Sequence, residues 1–360
     1  MSNKNLYKNE FGIVHPGATL LETLETLGMT QSELALRISR PEKTISEIIN
    51  GIAMITPDTA IQFERALGVP ASFWNSLEKN YQLELANAKA RLQLKSEEPN
   101  LIKFPYKEIA SLGWVKKSKD IIERIENLLS FYGVSSLSSI SVVQEVAFRK
   151  AKAVSFSPEA LATWLRKGEL DSYEIETKPF NKDGLINSLS ELRSLTRGNI
   201  AETSKKAQQI CAENGVVLVF IQYLPKSNVN GATRWISPSK SLVQLSLRGH
   251  FNDRFWFTFF HELGHVLYGG KREKFIDIDN QEITDEEKLA DKFAREQLIP
   301  TEKLNAFLES NEISINSIKK FADEIGIHPG IVVGRLQYEQ ILDYKSFNGL
   351  KEKYFIKKEE

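Results

Sequence analysis

The sequence predicts an α+β chain that is mostly α: a five-helix N-terminal domain, a helical connector, and a C-terminal α/β domain with a small sheet. Three observations predict it. Residues 15–92 break into short amphipathic segments punctuated by Gly and Pro. Val216-Val217-Leu218-Val219-Phe220-Ile221 is a β-branched run of strand length. Phe255 to Leu267 is an aromatic-rich run of helix length that carries His261, Glu262 and His265. The expected boundaries are residues 1–92, 93–198 and 199–345, with a frayed, charged tail over 346–360.

Composition excludes several classes. Hydrophobic residues make up 41% and charged residues 26% of the 360, the balance of a globular chain with ample core. Lys+Arg and Asp+Glu are 47 each, so no overall field draws the chain to nucleic acid or membrane. A single cysteine, Cys211, excludes an intramolecular disulfide framework and fits a reducing cytoplasm. It reads as an inert core residue. No apolar run reaches membrane-spanning length, and the polar start is no signal peptide. A cytoplasmic location is expected.

The N-terminal elements follow in order. His15-Pro16-Gly17 opens an amphipathic helix with Leu20, Leu21, Leu24 and Leu27 inward, stopped by Gly28. Thr30 caps the next helix, with Glu33 at the capping-box position. The turn Ser39-Arg40-Pro41 leads to a third helix, Glu42 to Asn50, and two more run from Pro57 to Leu67 and from Ala71 to about Leu92. Five short helices with a tight turn between the second and third form the helix-turn-helix pattern. Ile61, Phe63, Leu67, Phe73, Trp74 and Leu77 are expected in its core.

This stretch resembles the Xre/Cro-type DNA-binding domains, and within them the HigA antitoxin branch. The likeness rests on Ile55-Thr56-Pro57-Asp58-Thr59-Ala60 and on Leu67-Gly68-Val69-Pro70-Ala71-Ser72-Phe73-Trp74-Asn75. The resemblance implies a third helix in the major groove of an operator, with a homodimer reading two half-sites. The residues expected at the DNA are Arg40, Lys43, Thr44, Ser46 and Glu47. Two features stand against the pattern. The usual glycine of the turn is replaced by Ser39-Arg40-Pro41, and residues 1–95 carry 10 basic and 10 acidic side chains, with no basic excess. A helical interaction module without DNA binding is the competing reading.

The connector shows helical patterns near Tyr106–Leu112, Ser118–Tyr132, Ile140–Phe148, Pro158–Lys167 and Lys182–Thr196. Trp164 reads as a core anchor. Lys116-Lys117 and Arg149-Lys150 read as solvated charges, and no chemical motif lies here.

After a helix over Ala201–Glu213, strands are expected at Val216–Ile221, Ala232–Ile236 and Leu242–Leu247. Then comes His261-Glu262-Leu263-Gly264-His265. The two histidines share one helix face about 6 Å apart along the axis. Two imidazoles so placed can share one Zn2+ ion, which acidifies a bound water for Glu262 to deprotonate as general base. A third ligand is required. Glu287 is the best candidate, with Asp291 four residues on to orient a ligand histidine and Glu286 as the nearest competitor. Leu289 and Phe293, with Ala290 and Ala294, suggest a helix packed closely on another. His250, Tyr268, His328 and Arg335 are candidates to stabilise an oxyanion.

Phe255–Tyr268 followed by Glu287–Pro300 resembles the ImmA/IrrE family of zinc metallopeptidases. The resemblance covers about residues 200–340. It implies a zincin-like domain, His261, His265 and Glu287 as zinc ligands, Glu262 as base, and proteolysis of a regulatory protein. Together the two resemblances imply a DNA-binding regulator or antitoxin fused to a zinc-dependent endopeptidase. The alternative is a non-catalytic HigA-like antitoxin and autorepressor that binds a partner toxin and uses the metal site structurally or for sensing.

Overall fold

The computed structural model describes residues 10–143, 157–246, 251–270, 274–278, 284–310 and 313–354. By its internal contacts the chain divides into two units, Met1–Pro99 with Asp120–Ile125, and Asn100–Lys119 with Glu126–Glu360.

The first unit is helical. Its helices are α1 (Pro16–Leu27), α2 (Gln31–Arg37), α3 (Glu42–Ile49), α4 (Pro57–Leu67) and α5 (Ala71–Lys95). Each start is written locally. The His15 ring accepts from the Gly17 N–H, Thr30 from the Glu33 N–H and Thr56 from the Thr59 N–H. Leu20, Leu24, Leu34, Ile45, Ile48, Phe63 and Trp74 close one core. Ser39 supplies the left-handed turn residue that the missing glycine would have provided, with φ 54°. Three residues expected inward are outward instead: Leu27 is 52% exposed, Ile61 44% and Phe73 45%. Ile61 and Phe73 sit on the solvent stripe of their helices, beside the inward Phe63 and Trp74.

Next in the chain come α6 (Glu98–Leu101), α7 (Tyr106–Ser111), α8 (Ile121–Tyr132) and α9 (Ile140–Val143), of which α6 and α8 begin with residues assigned to the first unit and α7 and α9 belong to the second. α10 (Pro158–Tyr173), α11 (Lys182–Ser194) and α12 (Ile200–Glu213) follow. The pattern expected over Ile140–Phe148 is described only as far as Val143, and Arg149-Lys150 lie outside the described residues.

Four strands form the sheet: β1 (Val216–Ile221), β2 (Val229–Ser237), β3 (Lys240–Ser246) and β4 (Lys274–Ile278), in the order β1-β3-β2-β4. β1 and β3 are parallel, while β2 pairs antiparallel with both β3 and β4. Residues 158–173, set apart by sequence as connector, form a layer of this unit, because α10 packs on β1 and β3. Its Gly168 has no room for a Cβ against the Gln244 side chain. Val243 and Leu245, on the opposite face of β3, join the main core with Phe255, Phe259 and Phe260. The sheet is thus a middle layer, helix on either side.

The far layer is α13 (Asn252–Tyr268), packed on α14 (Asp285–Leu298) and α17 (Pro329–Tyr338), with α15 (Thr301–Ser310) and α16 (Ile315–Ile325) between them in sequence. The tail is a correction to expectation. Residues 346–354 are not frayed: Tyr354 is fully buried and accepts from Trp256 Nε1 at 3.0 Å. Phe251 and Lys353 form an antiparallel bridge, and Lys351 pairs with Asp253 at 2.5 Å. A large aromatic at the end of a charged run outweighs the charges that suggested a loose end. Lys357 and Lys358 lie outside the described residues. Among the described residues, no helix is long and apolar enough to cross a membrane.

Candidate metal centre

α13 is buried on every side because its sequence is apolar all round, from Phe255 to Leu267. This places His261, Glu262 and His265 in the interior, at 4%, 0% and 2% exposure. α14 reaches them because its facing residues are small. A Cβ on Gly264 would stand 3.0 Å from Ala290 Cα and 3.3 Å from its Cβ, so the two backbones meet at van der Waals distance. Ala290 and Ala294 are buried in that contact. Leu289, expected on the packed face, is 46% exposed. Thr284 caps α14 at the Glu287 N–H, which puts the Glu287 carboxylate in the first turn, facing the histidines.

The polar atoms converge. His261 Nε2 lies 3.0 Å from His265 Nε2 and 3.1 Å from Glu287 Oε2, and His265 Nε2 lies 3.4 Å from the same oxygen. Ligands about 2.0–2.1 Å from a tetrahedral zinc are separated by about 3.3 Å. The triangle fits that ion, and these three are the group that can hold a metal among the described residues. Glu286 is exposed. Asp291 Oδ1 sits 2.9 Å from His261 Nδ1. An Nδ1–H donated to this carboxylate turns the Nε2 lone pair toward the centre. The His265 ring stacks on Phe275 of β4 at 4.1 Å, which fixes its plane.

Electrostatics agree with a cation site. Burial opposes protonation of His261, but hydrogen bonds to Asp291 and Glu287 and the charges of Glu262 and Asp277 outweigh it and push its pKa up to about 11. Burial works against the Glu287 charge too, yet hydrogen bonds from both histidines hold its carboxyl far below the usual range. A cluster this rich in carboxylate draws a proton onto an imidazole when no other positive charge is present. A divalent cation meets the same need without desolvated like charges. Burial pushes Glu262 up to about 8.

Sequence reasoning missed three residues here. Thr233 donates to Glu262 Oε2 at 2.6 Å. Gly231 leaves the space that Glu262 Oε1 occupies. Asp277 pairs in register with Gly231, and burial raises its pKa despite the pull of His261. The available signal for the last was that Phe275 and Asp277, two apart in a five-residue strand, share one face.

Two oxyanion candidates are engaged elsewhere. His328 Nδ1 caps α17 at Gly330 and meets Asn252 at 2.7 Å. Arg335 pairs with Glu339 and donates to the Arg295 and Ile299 carbonyls. Tyr268 is 49% exposed beside Phe293 and Lys182, and His250 lies outside the described residues. Cys211 is buried, and burial pushes its thiol up to about 12.

The residues expected at DNA are all in the first unit. Lys43 is the most open, its side chain 84% exposed and 3.7 Å from Glu47. Thr44, Ser46 and Glu47 are half-buried, and Ser46 Oγ accepts from Asn50. Arg40 is tied to α4, where its Nε donates to Gln62 Oε1 at 3.0 Å.

Comparison with known proteins follows the same division. Residues 20–74 match the helix-turn-helix family, and residues 216–337 match the IrrE N-terminal-like domain, a peptidase family. The chain belongs to the helix-turn-helix family and carries an IrrE N-terminal-like domain. It is 36% identical over 75 residues to virulence-associated protein A of Dichelobacter nodosus, a match spanning 20% of this chain and 74% of that protein. A solved structure of an addiction module antidote protein of a HigA family, from Coxiella burnetii, is 32% identical, covers 23% of this chain and 92% of its own, and has a TM-score of 0.22. The protein therefore joins a DNA-binding helix-turn-helix domain to a metallopeptidase-like domain.

Proposed function

We propose that the IrrE-like domain is a zinc-dependent endopeptidase that hydrolyses a regulatory protein, and that the helix-turn-helix domain binds an operator as a homodimer in the cytoplasm. One observation carries the peptidase reading. His261, His265 and Glu287 converge on one point beside Glu262, whose Oε1 is buried without a hydrogen-bond partner among the described residues. A buried lone oxygen of a carboxylate is costly unless a ligand or water meets it.

In this reading His261, His265 and Glu287 hold the zinc. When bound, zinc supplies a Lewis acid that polarises a peptide carbonyl and acidifies the attacking water. Glu262 accepts that water's proton at Oε1 and delivers it to the leaving amine. Asp291 fixes the His261 tautomer through Nδ1. β4 is an outer strand of the described sheet and stacks on His265 through Phe275, so an extended substrate chain laid along it would pass the candidate metal centre.

The test separates metal from chemistry. Elemental analysis should find one zinc per chain, lost in His261→Ala. Glu262→Gln should retain zinc and cleave no peptide. A Glu262→Gln protein as active as the parent would remove the enzymatic reading and leave the HigA-like antitoxin, acting on a partner toxin, in its place.

A further inference from the structure

A general base must be aimed as well as placed. Glu262 is carried by α13, but a helix fixes only its backbone, and the side chain keeps several rotamers. β2 crosses that helix with two residues on the same strand face, Gly231 and Thr233. Thr233 is 1% exposed. Its hydroxyl lies 2.6 Å from Glu262 Oε2 and 3.2 Å from the Glu262 carbonyl oxygen. The single proton goes to the nearer acceptor. As a β-branched residue in a strand, Thr233 itself has little rotamer freedom, so the donor is rigid. Gly231 acts by lacking a side chain. A Cβ there would stand 2.4 Å from Glu262 Oε1 and 2.8 Å from Thr258 Cγ2.

We propose that Gly231 and Thr233 form a seat on β2 that aims Glu262. Thr233 pins Oε2, and the bare Gly231 leaves Oε1 the room to face an incoming water. Both are positioning residues acting through Glu262. The inference rests on the reading of Glu262 as the base of a zinc site. It adds why β2 carries a glycine and a threonine two residues apart in an otherwise packed strand.

The test uses the full-length protein loaded with Co2+ and titrated with acetohydroxamate, followed by its visible spectrum. A hydroxamate binds such an ion through two oxygens and shares its proton with the neighbouring carboxylate. Binding therefore reports where Glu262 points, without any peptide substrate. Thr233→Val should lower thermal stability somewhat, keep Co2+ affinity near the parent's, and weaken hydroxamate binding about tenfold, the worth of one hydrogen bond. Thr233→Ser, which restores the donor, should return within about threefold of the parent. Gly231→Ala should weaken binding as Thr233→Val does, by displacing Oε1. Parent-like hydroxamate affinity in Thr233→Val overturns the seat. So does a Thr233→Ser protein as weak as Thr233→Val, because shape rather than the donor would then matter. Equal affinity in the parent and Glu262→Gln overturns the underlying reading of Glu262, and the seat falls with it. Failure of the parent to take up Co2+ overturns the metal reading itself.

Discussion

α13 and α3 each carry candidate functional residues of their unit, and they are built in opposite ways. α13 buries 13 of its 17 residues, so its chemistry points into the protein. α3 buries only Ile45, Ile48 and Ile49 of its eight, and presents the rest to solvent. On α13 every functional atom is held by a neighbour: Asp291 on His261, Phe275 on His265, Thr233 on Glu262. On α3 the charges hold each other, as Lys43 and Glu47 do. A site that faces inward is finished by folding. A site that faces outward is finished by its partner, and until then its side chains are solvated and loosely paired.

The inward site depends on the close approach of two helices. Gly264→Leu should push α14 off α13, because the added side chain meets Ala290 and Phe293. Overpacking of this kind costs about 3 kcal/mol. Zinc content by elemental analysis should fall to background, since Glu287 moves with α14. A Gly264→Leu protein that still held one zinc would show that the helix contact does not set the site.

The outward site should respond weakly in stability and strongly in binding. Arg40→Ala with Lys43→Ala should leave folding nearly intact and weaken operator binding by about 2–3 kcal/mol, with a salt slope shallower by about 2. The contact of Arg40 with Gln62 divides this prediction. Gln62→Ala frees Arg40 without removing its charge. If Gln62→Ala alone weakened binding as much as the double variant, Arg40 would act by being held in place.

What the sequence made legible follows the same contrast. The cluster of His261, His265 and Glu287 beside Glu262 was readable because His261, Glu262 and His265 sit within about one helical turn and Glu287 with Asp291 within another. Local spacing encodes local geometry. Thr233 and Gly231 were not readable, since nothing in a strand interior says which distant side chain it faces. β4 was too short to stand out, and it pairs with a strand 40–49 residues earlier. Ile61 and Phe73 misled because each is apolar and adjacent to a true core residue, one position off the buried stripe. Tyr354 was hidden by the lysines around it, although a single aromatic buries more area than those charges lose.

The turn between α2 and α3 offers a smaller effect. Ser39 holds φ 54°, a region that costs an L-residue about 1–2 kcal/mol. Ser39→Gly removes that strain but adds chain entropy to the unfolded state, so a net gain of about 0.5–1 kcal/mol is expected. Thermal unfolding of the first unit should rise by a few degrees. A fall would mean that the Ser39 side chain holds the turn by itself. DNA affinity should not change, because the backbone path is the same in both.

The smallest expected effect is a pH dependence confined to the first unit. His15 is buried, capping α1 with Nδ1 while its ring meets Tyr81 edge-on at 4.7 Å. Burial lowers its pKa below the ordinary value, and the opposing charge of Glu78 does not cancel this. A group whose folded pKa is depressed takes up its proton more readily when unfolded. Its contribution to stability is therefore complete above the unfolded value of about 6.5 and is lost as pH falls through the folded one. Protonation also ends the cap, because an Nδ1–H cannot accept from Gly17. Amide exchange at Leu20, Ile45 and Ile48 should quicken between pH 7.5 and pH 5 after correction for intrinsic rates. Asn is a good cap that does not titrate in this range, so His15→Asn should flatten the dependence while keeping the helix. The contrast with α13 is direct: there a buried imidazole is held by carboxylates and a cation site, here by an N–H and an aromatic edge. If acid loosened the second unit first and left Leu20 protected, carboxylates rather than His15 would govern the response of the chain to pH.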